Sequence, residues 1–144
     1  LDFLQSHKIA VIATVATGGE PQASTVYYVI DDNFDFYFLT GNKTKKFQNL
    51  GKNDKIAFVV GVGPELVTIQ GGGTAELLKH PYTDDIILRM SKNLSLKESR
   101  YWPIFKLPEG VVSVFKIRPK WMVMVNLNIN DPTTYVEEFI PVLP

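Results

Sequence analysis

Short apolar runs rich in β-branched and aromatic residues, each cut off by a turn signal, set the limits on this fold. They are Lys8–Val15, Gln22–Ile30, Phe34–Thr40, Ile56–Val62, Leu66–Gln70, Val111–Ile117 and Trp121–Ile129. Between them stand Thr17-Gly18-Gly19-Glu20, Asp31-Asp32-Asn33, Gly63-Pro64 and Arg118-Pro119-Lys120, which have hairpin and turn chemistry. The run from Leu66 is expected to resume as Thr74–Leu78, with Gly71-Gly72-Gly73 as a bulge or a close backbone approach. Runs this short and this closely spaced read as strands of one antiparallel sheet system.

Helical patterning is sparse. Leu1–Ser6 reads as the end of a helix, Thr44–Gly51 as a short helix stopped by Gly51, and the stretch after His80-Pro81 as a helix with Ile86, Ile87 and Met90 on its apolar face. Ser91–Leu107 is ambiguous, a second helix there being broken at Pro103. Asp131-Pro132 leads into a tail with Pro141 and Pro144. Six or seven strands with two or three short helices predict a mainly β chain, a small β-barrel with helices attached. No internal repeat or linker interrupts it, so residues 1–144 are expected to form one domain.

Two strands carry a further implication. Ile56-Ala57-Phe58-Val59-Val60 and Trp121-Met122-Val123-Met124-Val125 are apolar on both faces. A barrel strand shows one face inward, so its outer face needs a cover. A second copy of the chain is the economical cover, and a homodimer is expected. The alternative is that the chain's own helices suffice.

Composition removes several classes of function. The formal net charge is +0, which implies no basic face for duplex nucleic acid. With no cysteine there is no disulfide, thiolate catalysis or cysteine metal site. His7 and His80, the two histidines, have no metal-ligand spacing around them, and with Asp84 and Asp85 they form no catalytic arrangement. No apolar run reaches the roughly 20 residues of a membrane span. No signal peptide is visible, and the cytoplasm is the expected compartment. The chain begins at Leu1 rather than Met, so residues upstream of it are expected.

The chemistry concentrates at a strand–turn–helix unit, Tyr37 to Leu50. Thr40, Asn42, Thr44, Lys45 and Lys46 gather hydroxyls, two ammonium groups and the positive end of a helix, a combination suited to a phosphate. The same residues fit a plainer role, with Asn42 or Thr44 capping the helix and the lysines solvated. Tyr27, Tyr28, Phe34, Phe36, Tyr37 and Phe38 could flank a planar ring or simply follow strand propensity. Tyr27 and Tyr28 point to opposite faces. Ser24 and Thr25 could bond a ring edge or ribityl hydroxyls, or the neighbouring backbone. Trp121 fits the dimer contact, the ligand's side or the core. The Gly71–Gly73 run lacks the spacing and the Lys-Ser/Thr of a phosphate loop.

Taken in order, Ala13-Thr14-Val15, Pro21 to Tyr28, Tyr37 to Thr40, Thr44 to Leu50 and Lys55 to Val59 resemble the pyridoxamine 5′-phosphate oxidase-like, FMN-binding split-barrel family. The similarity is good over Phe3 to about Leu78 and vaguer through Val111–Val125. It implies a six-stranded antiparallel split barrel that dimerises, with two flavin sites at the subunit interface. It implies that Ser24, Thr25, Val26 and Tyr27 line the isoalloxazine ring, largely through backbone groups. It implies that Leu39 and Thr40 contact the flavin and its phosphate, and that Thr44-Lys45-Lys46 grips the phosphate. This chain departs from family oxidases at Ser24 and Val29, where they carry Arg and Lys, and near Leu66, where they carry Gln. Their C-terminal Arg–His substrate motif is also missing before Phe139-Ile140-Pro141. A true pyridoxamine phosphate oxidase is not expected.

Three functions follow from these residues. The first is an FMN-dependent oxidoreductase whose flavin performs the redox step without a protein acid or base. The second is a non-catalytic flavin or haem binder, since some relatives bind haem and some a deazaflavin. The third is an empty barrel serving as a dimeric interaction module.

Overall fold

The computed structural model describes residues 1–61, 66–93, 111–126 and 138–143. Helix α1 (Asp2–Ser6) leads into β1 (Ile9–Val15), β2 (Pro21–Ile30) and β3 (Phe36–Gly41). Helix α2 (Lys45–Lys52) is followed by β4 (Lys55–Val60) and β5 (Val67–Leu77). Helix α3 (Tyr82–Asn93) precedes β6 (Val112–Asn126) and β7 (Glu138–Leu143). The strand order is β3-β2-β1-β4-β5-β6-β7, and β3 also pairs with β6. That extra pairing closes the first six strands into an antiparallel barrel and leaves β7 outside it, on the far half of β6.

Alternation decides what the barrel encloses. Even positions of β1 and β2, such as Ala10, Ile12, Val26, Tyr28 and Ile30, join Phe36, Phe38, Phe58, Val60, Ile69 and Ile117 in one buried cluster. Gly71 makes room for it: a Cβ there would lie 2.2 Å from the Phe58 ring. The barrel ends are stoppered by helices. Leu4 of α1 is fully buried, and the Tyr28 hydroxyl donates to the Leu4 carbonyl over 2.6 Å. That interior setting pushes the Tyr28 phenol up, through desolvation. Leu50 and Phe47 of α2 pack on the other end.

A second cluster lies outside the barrel. Ile86 and Met90 of α3 cover Val29, Tyr37, Leu39 and Val114 on the outer face of β2, β3 and β6. No equivalent cover lies over β1, β4 and the far half of β6 among the described residues. There Ala57 and Trp121 are exposed and Val11, Val59 and Val123 half-buried. Among the described residues the chain's own helix thus covers one part of the outer face.

The run Leu66–Gln70 and its expected continuation form the strand β5, and the expected bulge is present as a register shift between Gly72 and Gly73. Several other sequence expectations are corrected. Arg118-Pro119-Lys120 does not divide two strands. β6 runs straight through, because Pro119 sits at that register shift, where a missing N–H costs little. Gly51 lies inside α2, and Asn53 is its C-cap. Phe34 belongs to the turn, with φ of 65°, and β3 begins at Phe36. The proline-bearing tail includes β7. Gly63-Pro64 and the break at Pro103 lie outside the described residues. No helix among the described residues is long and apolar enough to cross a membrane.

Candidate functional site

β3 delivers the chain to the barrel end that α2 stoppers, and Thr44 caps the start of α2 there. The Thr44 hydroxyl accepts from the Phe47 N–H (3.3 Å) and donates to the Gly41 carbonyl (3.0 Å). Thr40, buried beneath it, bonds the same hydroxyl at 2.7 Å. Asn42 is pinned to β6: its N–H donates to the Val111 carbonyl and its Oδ1 accepts from the Ser113 hydroxyl at 2.5 Å. The turn's hydroxyls thus shape the turn. By helix geometry the N–H groups of Lys45 and Lys46 have no partner within α2.

Beside that helix end lies a cleft of about 370 Å³, lined by Thr14, Gln22, Ala23, Ser24, Lys45 and Lys46. Its wall is set by register, with Thr14 opposite Gln22 and Ile12 opposite Ser24. Asn49 of α2 ties the wall together, donating from Nδ2 to the Thr14 hydroxyl at 3.0 Å and to Gln22 Oε1 at 2.9 Å. Gln22 is thereby held with its amide N–H₂ turned away from Asn49. Lys45 is exposed and Lys46 half-buried. Among the described residues the Lys46 ammonium has no hydrogen-bond or ion-pair partner. Burial lowers its pKa from the ordinary 10.5, the mark of a cation losing water without gaining an anion.

The structure brings Ser24, Lys45 and Lys46 together at this cleft. Thr44 stands at its rim as the helix cap. Val26, Leu39 and Thr40 are buried, so their side chains face protein. Thr25 and Tyr27 lie on the outer face of β2, exposed and half-buried. Trp121 is on the uncovered outer face, 47% exposed, in the row Ala23–Ala13–Ala57–Gly72–Trp121 that crosses β2, β1, β4, β5 and β6. Four strand spacings, roughly 19 Å around the wall, separate it from Ala23. A Cβ on Gly72 would lie 2.7 Å from the indole Nε1, so the ring lies flat against that glycine.

Sequence reasoning missed Thr14, Gln22 and Asn49. Strand alternation from Ser24 reaches Gln22 directly, and Thr14 is a polar residue in an apolar run. The side chains lining the cleft include no carboxylate, histidine or methionine, and no group of metal-ligating residues occurs among the described residues. The chemistry on offer is recognition of an anion joined to a polar, hydrogen-bonding body.

A closed antiparallel barrel with a cationic helix end beside a ligand-sized cleft defines a small barrel with the means to recognise an anion at its rim. A family model described as pyridoxamine 5′-phosphate oxidase matches residues 1–125, and the chain belongs to that family. It is similar to the 5a,11a-dehydrotetracycline/5a,11a-dehydrooxytetracycline reductase of Streptomyces rimosus, 31% identical over 104 residues, 62% of this chain and 73% of the relative. Among solved structures, a Clostridium acetobutylicum protein related to general stress protein 26, of the pyridoxinephosphate oxidase family, superposes with a TM-score of 0.65. It is 18% identical and the match covers 85% of this chain and 82% of that one. HutZ, the haem storage protein of Vibrio cholerae, superposes with a TM-score of 0.69 at 15% identity, covering 96% and 92%. At those identities the structural likeness speaks for the fold alone.

Proposed function

We propose that the chain is an FMN-dependent oxidoreductase working as a cytoplasmic homodimer, and not a true pyridoxamine phosphate oxidase. The half-buried, unpartnered ammonium of Lys46 at the mouth of the cleft carries the proposal. A phosphate there would restore the counter-charge that burial removes. Lys45, Lys46 and the first N–H groups of α2 would hold it, each charge-assisted bond contributing roughly 1.5–3 kcal/mol. Gln22, set by Asn49, and Ser24 would hydrogen-bond the ribityl chain or the ring edge. The isoalloxazine itself supplies the electron-transfer chemistry.

The uncovered outer face supports the dimer. Trp121 cannot reach the cleft of its own chain, but a second copy seated on this face would bring apolar surface to the cleft and exclude water from it. The tetracycline reductase relative supports a reductase with an organic substrate. Haem is the less favoured cofactor because the cleft's described lining has no usual axial donor to iron. A deazaflavin shares the phosphate and the ring shape, so FMN and deazaflavin are compared directly in the test.

The absorbance spectrum of the purified protein is expected to show bound flavin, bleached by a reductant and restored by an acceptor. A Soret band instead, or tight deazaflavin binding with no FMN uptake, overturns the cofactor. Lys46→Ala is expected to weaken FMN about tenfold or more, the loss of one charge-assisted bond, while leaving riboflavin nearly unchanged. Equal losses for both contradict the phosphate assignment. The pH dependence has a definite sign. Lys46 holds phosphate only as ammonium, and its pKa is lowered by burial. FMN affinity is therefore expected to fall as pH rises through the alkaline range, starting below the pH at which an ordinary lysine titrates, while riboflavin affinity stays flat.

A further inference from the structure

The other end of β2 opens a second cleft, of about 420 Å³, between α1, the end of β2 and α3. Ser24 and Ile30 are six residues apart, roughly 20 Å along a strand, so this is a separate site from the one at Lys46. His7, Lys8, Arg89 and Lys92 stand around the cleft, over a floor in which Leu4 and Val29 are themselves buried. Those four basic residues come from two places in the chain, His7 and Lys8 from the α1–β1 junction and Arg89 and Lys92 from α3. No aspartate or glutamate lines the cleft among the described residues. The chain as a whole has a formal net charge of +0, so this concentration of positive charge is local.

The arrangement is also held in place. The Arg89 guanidinium donates to the Ile30 carbonyl at 3.1 Å, which fixes it at the cleft's edge and leaves other N–H donors directed elsewhere. The His7 ring is stacked on Phe3 with centroids 4.1 Å apart, and its Nδ1–H donates to the Phe3 carbonyl at 2.7 Å. Of the acidic residues of α3, Asp85 lies one turn before Arg89 on the same side of the helix and Asp84 one residue earlier, and neither lines the cleft. Favourable placement of a cation in the last turn of a helix accounts for Lys92. It does not account for Arg89, nor for His7 and Lys8 meeting it from the α1–β1 junction. The volume falls within the range of small-molecule pockets and exceeds what a bare inorganic ion fills.

We propose that this cleft binds a small organic anion with an apolar body, its acidic group among the charged ends of Lys8, Arg89 and Lys92. The body lies along the aliphatic stems of those basic side chains, which make the apolar wall. The site is independent of the flavin reading and stands whichever cofactor the first cleft takes.

The test is an amide-resolved NMR titration with phenyl phosphate, inorganic phosphate and benzyl alcohol. It is run on the whole chain carrying Lys46→Ala, so that the first cleft does not compete. Phenyl phosphate is expected to shift the amides of Lys8, Val29 and Arg89 saturably, with the other two probes at least tenfold weaker. Lys92→Glu and Arg89→Gln are each expected to weaken phenyl phosphate at least tenfold. Arg89→Gln also removes the bond to Ile30, so the exposed Lys92 carries the test if that variant does not fold. FMN binding by Lys92→Glu in the otherwise native chain is expected to be unchanged, which separates failure here from failure at the first cleft. Saturable shifts confined to other residues, equal affinity for inorganic phosphate, or an unaltered affinity in Lys92→Glu overturns the proposal.

Discussion

The outer surface of this barrel has two apolar regions that meet different fates. On one, Val29, Tyr37, Leu39 and Val114 lie under Ile86 and Met90 of α3 and are buried. On the other, Val11, Ala57, Val59, Trp121 and Val123 have no helix over them among the described residues. The strands are continuous between the two regions, and the side chains are of the same kind. The difference lies in the chain's own supply of covering elements. Burial of a Val, Leu or Ile is worth about 1.5–3 kcal/mol, and among the described residues of one copy only the first region collects it in full. The first region serves folding, and under the proposed function the second serves association.

Substitutions on each side can break or sharpen that contrast. The largest effect is expected from Met90→Ala, where a fully buried side chain leaves a cavity beneath α3: about 3 kcal/mol lost in urea unfolding, with the oligomeric state unchanged. If Met90→Ala costs nothing, α3 is not the cover it is taken for. Ala57→Glu, on the uncovered side, is expected to turn the proposed dimer into a folded monomer by sedimentation. Compared at dilutions where both are monomeric, unfolding energies should differ by about 0.5 kcal/mol or less. A dimer that survives Ala57→Glu removes this face as the interface. The smallest effect is expected from Gly72→Ala. Its Cβ would crowd the Trp121 indole, whose exposed ring can swing aside, so the cost should stay below ~1 kcal/mol. The tryptophan emission should shift more in the dimer than in the Ala57→Glu monomer, and equal shifts would place Trp121 outside the contact.

Most of the barrel could be read from the chain because its strands are short β-branched and aromatic runs bounded by turn residues. The failures cluster where proline and glycine mislead. Pro119 looks like a stop, but at a register shift a strand tolerates its missing N–H. Pro141 made the tail look irregular, yet β7 is an outermost strand, a position where proline is permitted. Gly51 is followed by another helical residue because nothing about its position demands a left-handed backbone. At the site, Lys46 was legible from its place at a helix start. That the Thr40 and Thr44 hydroxyls would be spent on each other and on Gly41 was not, because such bonds depend on how β3 enters the turn. Asn49, Thr14 and Gln22 meet across sequence separations of 35 and 27, beyond any local pattern.

β6 pairs along nearly all of its length with β5, while its second edge is divided between β3 and β7. Residues Met122–Asn126 owe their partners on that second edge to β7 alone. A protease nick or a shortened expression clone ending after Asn126 would strip away this shield and leave a raw ladder beside Met122, Met124 and Val125. Such an edge recruits strands from other molecules, so the tail doubles as the chain's own guard against clumping.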